Sequence, residues 1–129
     1  MIPAELTADL DQMRKRSYQF ELTEADSRIY IVFKAYPLPP KLYNMESCDV
    51  MVYTSPFYPN AGFDMFWTED RLLLKTGGQP RNGDQFENYI NRRWRRFSYH
   101  PYNGKLWNPA EDSIIRHMQY VDQRLSKGD

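Results

Sequence analysis

A single cysteine, Cys48, is the only thiol in this 129-residue chain. It excludes an internal disulfide and any zinc site assembled from several thiolates. Net charge is missing too: 17 Lys and Arg balance 17 Asp and Glu, so the chain lacks the overall field that draws proteins onto nucleic acid or acidic membranes. Neither a signal-like N-terminus nor an apolar run long enough to span a bilayer is present, and the expectation is a cytoplasmic protein with no membrane partner. No internal repeat or low-complexity segment is seen, and no metal or cofactor is expected. What the chain has in quantity is aromatic surface, 16% of residues with ten Tyr and three Trp. Rings of that kind supply large buried areas and bring phenol and indole groups that need partners. The length suits one domain, residues 1–129, with a single core.

The pattern along the chain predicts an α+β fold. Residues 4 to 16 place Leu6, Leu10 and Met13 on one stripe, as in a short amphipathic helix. Ser17 to Leu22, Arg28 to Tyr36, Ser47 to Tyr53 and Asp64 to Thr68 read as four strands, with a polar turn at Thr23 to Ser27 and a proline-rich crossover at Pro37-Leu38-Pro39-Pro40. Connections this short favour an antiparallel meander, because parallel pairs need long crossovers. Pro56 and Pro59 stop the third strand by removing backbone donors.

Beyond Glu69 the periodicity weakens. Thr76 to Asp84, TGGQPRNGD, is expected to be a mobile loop, and Phe86 to Phe97 is read as a short helix carrying Trp94. A final helix is clearer, with Asn108 as its cap, Pro109 at its first position and Glu111 at capping-box spacing. Ile114, Ile115, Met118, Val121 and Leu125 form its apolar stripe.

Five segments, in this order, are similar to the ubiquitin-conjugating (UBC) superfamily: Pro37-Leu38-Pro39-Pro40, Tyr58-Pro59, Asp64-Met65-Phe66, Trp94-x-x-Phe97-Ser98-x-His100 and Trp107-x-Pro109-x-x-Asp112. Together they resemble its bacterial branch, the prokaryotic family E. The resemblance implies a UBC-like fold, a four-stranded antiparallel meander flanked by an N-terminal and a C-terminal helix. It also implies a place in bacterial ubiquitin-like conjugation, with a ubiquitin-like modifier, an activating enzyme and a protein target as partners and a metal-dependent deconjugating peptidase as a usual companion.

One departure limits what carries over. Family carriers hold the modifier as a thioester on a cysteine shortly before the Trp-x-Pro, and no cysteine stands there in this chain. Cys48 lies before the Tyr-Pro turn, where a small buried thiol is expected. Ser98, nine positions before Trp107, occupies the carrier's place. A serine hydroxyl needs an adjacent base, and His100, on the same side of an extended segment, is the candidate. Asp112 is the candidate for orienting His100, and Asn91 or Asn103 for stabilising an oxyanion. The family's HPN motif is missing; His100-Pro101-Tyr102-Asn103 resembles it only loosely and follows Ser98 instead of preceding a carrier. The bland readings are a turn serine, a satisfied histidine and a helix-terminal carboxylate, with His117 structural or solvated.

Arg92, Arg93, Arg95 and Arg96 surround Trp94 and form the second local signal. They are candidates for binding an acidic partner surface or, less favoured, phosphates and bases of nucleic acid. Three readings therefore stand after the sequence: an oxyester carrier on Ser98, a catalytically inactive adaptor that binds modifier or activating enzyme, and a nucleic-acid-binding module.

Overall fold

The computed structural model describes residues 2–100 and 107–129. The chain starts with α1 (Ala4–Lys15), whose Leu6, Leu10 and Met13 are buried and whose Glu5 and Arg14/Lys15 sit at the ends that the helix dipole favours. Strands β1 (Gln19–Ala25) and β2 (Arg28–Pro37) follow. They are joined by Asp26-Ser27 at φ 52° and 61°, the left-handed pair that a two-residue hairpin loop requires. Next come β3 (Ser47–Thr54) and β4 (Phe66–Glu69), and between them lies the Tyr58-Pro59 turn with a cis peptide.

The sheet does not stop at four strands. Residues expected to form a helix at Phe86 to Phe97 are instead the hairpin of β5 (Gln85–Tyr89) and β6 (Arg92–Phe97). Their loop, Ile90-Asn91, again has both residues at positive φ, 48° and 61°. The six strands run in the order β1-β2-β3-β4-β6-β5 with every pair antiparallel. A helix loses here because the segment's buried residues suit a strand lying between two faces: Trp94 belongs to the cluster on one face and Phe97 to the core on the other.

Both helices cover the same face. Ile29, Ile31 and Phe33 of β2, Val50 and Val52 of β3, Phe66 and Phe97 pack in one core with Leu6 and Leu10 of α1. Met118, Val121 and Leu125 of α2 (Ile114–Leu125) complete that core. Buried phenols tie the layers. Tyr58 donates to Asp9 on α1 at 2.6 Å and accepts from the Ile114 N–H that opens α2 at 3.0 Å. Tyr43 donates to the Leu125 carbonyl at 2.8 Å.

The cap of α2 also differs from expectation. Ser113 is the cap, its Oγ accepting from Arg116 N–H. Asn108 instead shapes a turn ahead of the helix, its Oδ1 accepting from Ala110 N–H at 3.0 Å, and Pro109 lies in that turn. Among the described residues no helix is long and apolar enough to cross a membrane.

Candidate functional site

The segments that stood apart in the sequence meet around the β3–β4 connection. Trp107 donates its indole N–H to the Pro59 carbonyl at 2.7 Å and packs against Tyr58 and Phe63, with ring centroids 6.3 and 5.9 Å away. It rests on Gly62, where an added Cβ would lie 1.9 Å from the indole Cδ2. Only glycine's hydrogen fits there. His100 reaches the same connection from the other side, with Nδ1 3.0 and 2.9 Å from the two carboxylate oxygens of Asp64. His100 and Trp107 thus fasten two points of the chain, seven residues apart, to one loop.

Beside this junction is a cleft of about 560 Å³ lined by Tyr53, Phe63, Asp64, Met65, Trp67 and Trp107 among others. Ring and thioether surface make up part of its walls, and Asp26, Arg28 and Asp64 add charged groups. From below, α2 supports it through His117, whose Nε2 lies 3.1 Å from the Met65 carbonyl and whose ring stacks on Phe63 at 5.3 Å. Burial depresses the His117 pKa to about 4, so near neutrality the ring is uncharged and its Nε2–H is the donor. Of the two expectations for His117, structural and solvated, the structure has the first.

Ser98 follows β6 and is half-buried. Its backbone N–H donates to the Asn82 carbonyl at 2.9 Å, and its Oγ accepts from Arg96 Nε at 3.1 Å. Continuing the register of Phe66 with Phe97 places Ser98 across from Met65, one residue from Asp64. Among the described residues no hydrogen bond joins Ser98 to His100. The carboxylate that engages His100 is Asp64, and Asp112 does not take that place. Asp112 accepts from the Asn108 N–H at 2.8 Å in the turn before α2.

Asn91 sits in the β5–β6 loop, at the opposite end of β6 from Ser98. Seven residues of extended strand separate the two, roughly 20 Å, which removes Asn91 from any role at Ser98. Asn103 lies outside the described residues.

Cys48 is on β3, 2% exposed, and faces the helix-covered core. Burial, aided by the nearby Glu69 carboxylate, pushes its thiol up to about 12. A thiol so placed is a poor nucleophile.

The arginine run divides between the two faces of β6. Arg92 stacks over Trp94 at 4.2 Å and donates to Asp49 at 2.8 Å. Arg96 pairs with Glu87 at 3.3 Å as well as with Ser98. Arg95 is 2% exposed, which takes it off any partner-facing surface. Arg93 stacks on Phe86 at 4.0 Å and is the exposed member. A strand, unlike the expected helix, cannot gather the guanidinium groups of Arg92, Arg93, Arg95 and Arg96 into one patch.

A sequence model of the prokaryotic E2 family E matches residues 6–128. The chain belongs to that family. Comparison with curated proteins and with solved structures gives no match. Membership in prokaryotic E2 family E makes this a UBC-like protein of a bacterial conjugation system, a conjugating-enzyme type whose partners are proteins such as a modifier and its activating enzyme. Asp64 is the residue that sequence reasoning missed at the site. It was visible as part of Asp64-Met65-Phe66, but its pairing with a histidine 36 positions later follows only from the β4–β6 register.

Proposed function

We propose that this family E protein accepts a ubiquitin-like modifier from its activating enzyme as an oxyester on Ser98, with His100 as the general base, and passes it to a protein target. The observation that carries this reading is the Asp64–His100 contact, two residues past Ser98. With Nδ1–H held by Asp64, the imidazole presents its lone pair on Nε2, the tautomer a base requires. In the unloaded chain Ser98 Oγ is engaged by Arg96. Transfer therefore requires Nε2 to close on Ser98 when the acyl donor arrives, a tightening common in sites of this kind.

Incubation with active cognate activating enzyme, modifier and ATP is expected to give an adduct that survives thiol reductant and is cleaved by hydroxylamine. Ser98→Ala abolishes it, His100→Ala slows it by roughly a hundredfold or more, and Cys48→Ser leaves it intact. Absence of an adduct on the wild-type protein with verified partners rejects the carrier. That result favours the second reading, an inactive adaptor, which is supported by the Arg96–Ser98 hydrogen bond and predicts noncovalent binding retained by both alanine variants. Nucleic-acid binding through residues 92–96 has less support, because Arg95 is buried and Arg92 and Arg96 are paired with carboxylates.

A further inference from the structure

Arg92, Arg93 and Arg95 are occupied by rings, by Asp49 and by loop carbonyls. Arg96 differs, because it holds a candidate nucleophile. Its Nε donates to the Ser98 hydroxyl oxygen at 3.1 Å while its Nη1 donates to Glu87 Oε2 at 3.3 Å. Glu87 is itself fixed, since its other oxygen accepts from the indole N–H of the buried Trp67 at 2.9 Å. Strand register gathers the group: Trp67 on β4 lies directly opposite Arg96 on β6, and Ser98 follows Arg96 by two residues, on the same side of an extended chain. Ser98 is anchored in turn through its own N–H to the Asn82 carbonyl at 2.9 Å. The guanidinium is thus set on the Ser98 oxygen by restraints at both ends.

A serine carrier meets its hardest step when it lets go. A thiol ionises at about pH 8.5 and its thiolate departs readily, whereas an alkoxide is the base of a far weaker acid and leaves only with help. A charged donor aimed at the oxygen where negative charge develops supplies that help, and a guanidinium stays charged throughout the working pH range. Only interactions that strengthen between ground state and transition state accelerate a step. In the loaded form Oγ is an ester oxygen, a poor acceptor, so the Arg96 hydrogen bond becomes strong only as the C–Oγ bond breaks. In the unloaded form the hydroxyl oxygen already accepts it, and loading gains less. That hydroxyl keeps a second lone pair and its proton for reaction.

We infer that Arg96 is the leaving-group donor of the discharge step, stabilising Ser98 Oγ as the modifier passes to an amine, with Glu87 as the residue that positions it; this rests on the carrier reading. In that step the amine nitrogen forms a bond to the ester carbonyl carbon, and the carbonyl π pair moves onto oxygen. His100 Nε2 takes a proton from the nitrogen. Collapse restores the carbonyl and breaks the C–Oγ bond. The departing electron pair stays on Oγ, where Arg96 Nε–H donates, and His100 returns the proton to it. The products are an amide and the free Ser98 hydroxyl, with Arg96 unaltered.

Arg96→Gln and Glu87→Gln are compared with wild type for the rate of adduct formation and for the rate of its discharge to hydroxylamine near neutral pH, with the thermal midpoint as a check on folding. Each is also made together with Ser98→Cys, whose thiolate leaves without a donor. From serine, discharge is expected to slow by roughly a hundredfold in Arg96→Gln and by a smaller factor in Glu87→Gln, with adduct formation much less affected. From cysteine, both substitutions should leave discharge little changed. Wild-type discharge from serine in folded Arg96→Gln overturns the assignment of Arg96, and in folded Glu87→Gln that of Glu87; either result leaves the Ser98 carrier standing. Equal slowing from serine and from cysteine overturns the assignment in favour of a structural role. Failure of the wild-type protein itself to form an adduct defeats the carrier reading and the inference with it.

Discussion

The face of the sheet beneath α1 and α2 and the face turned away from them both bury apolar side chains, but they are covered by different means. Under the helices, aliphatic and phenyl side chains interdigitate, and the polar groups among them are tyrosine hydroxyls and the enclosed His117 and Arg124 of α2. The opposite face buries Tyr30, Val32, Met51, Trp67 and Trp94 without a covering helix. Tyr30 on β2 meets Tyr89 on β5 with centroids 5.8 Å apart, although three strands separate them in the sheet, so the sheet curls toward itself on this face. Charged side chains complete the seal: Arg92 over Trp94, Arg28 over Tyr53 at 4.3 Å, and Glu87 accepting from the Trp67 indole at 2.9 Å. Asp49 gathers Lys34 and Arg92 at 3.0 and 2.8 Å. Long cationic side chains can cover rings while their heads stay wet, and this accounts for much of an arginine run that in sequence suggests a binding patch.

The largest effect separating the faces is expected from Phe97, which stacks on Phe66 at 4.6 Å and is fully buried under the helices. Phe97→Ala should cost about 3–5 kcal/mol of unfolding free energy in urea titration, and the loss should be the same in low and high salt. A salt-dependent loss would show that the helix-covered face also relies on charge.

Next in size is the pH response of His117, which fastens α2 to Met65. Its folded pKa of about 4 lies below the ordinary 6.5, so between those values the unfolded chain binds more protons. Stability from this group is complete above pH 6.5 and declines as pH falls toward 4, by on the order of 3 kcal/mol. Asp122 acts in the opposite direction, since burial raises its carboxyl pKa despite the Tyr36 hydrogen bond. The clean measurement is therefore the difference between wild type and His117→Gln across that window. A pH-independent difference would remove His117 as the source of acid sensitivity.

On the open face, Asp49→Asn tests the charge seal. Burial alone would raise the Asp49 pKa, but hydrogen bonds from Arg92, Lys34 and the Ala35 N–H outweigh it and hold the carboxyl below its usual range. Lys34 and Arg92 are 39% and 36% exposed, so screening limits each pair. The expected loss is about 1 kcal/mol in low salt, shrinking in 1 M NaCl. A loss as large as that of Phe97→Ala would erase the contrast between the faces.

The same contrast explains what could be read from the sequence. Leu6, Leu10 and Met13 and the stripe on α2 carry the helical period because one side meets a core and the other meets water, whereas β2 and β3 alternate between two buried clusters, one on each face of the sheet. The hairpin of β5 and β6 is disguised. Its outward positions are arginines, which are not strand formers by preference, and Ile90-Asn91 lacks the glycine that marks a two-residue hairpin loop. Much of the candidate site was legible as residue types, in Ser98 and His100, but not as partners. Asp64 reaches His100 through strand register, which leaves no spacing signal. Asp112 had plausible chemistry, yet the turn at Asn108 claims its carboxylate.

The smallest effect concerns that hidden hairpin. Asn91 has φ 61° and ends the loop at Tyr89–Arg92, where glycine is the preferred second residue of the left-handed pair. Asn91→Gly relieves the backbone there but makes the unfolded chain more flexible, and the two contributions nearly cancel. Stability should stay within about 0.5 kcal/mol of wild type. Adduct formation on Ser98 should be unchanged, because the loop lies at the far end of β6. Slowing of adduct formation by Asn91→Gly would mean that the tip of the hairpin reaches the reaction, and that β6 does not hold it apart from Ser98.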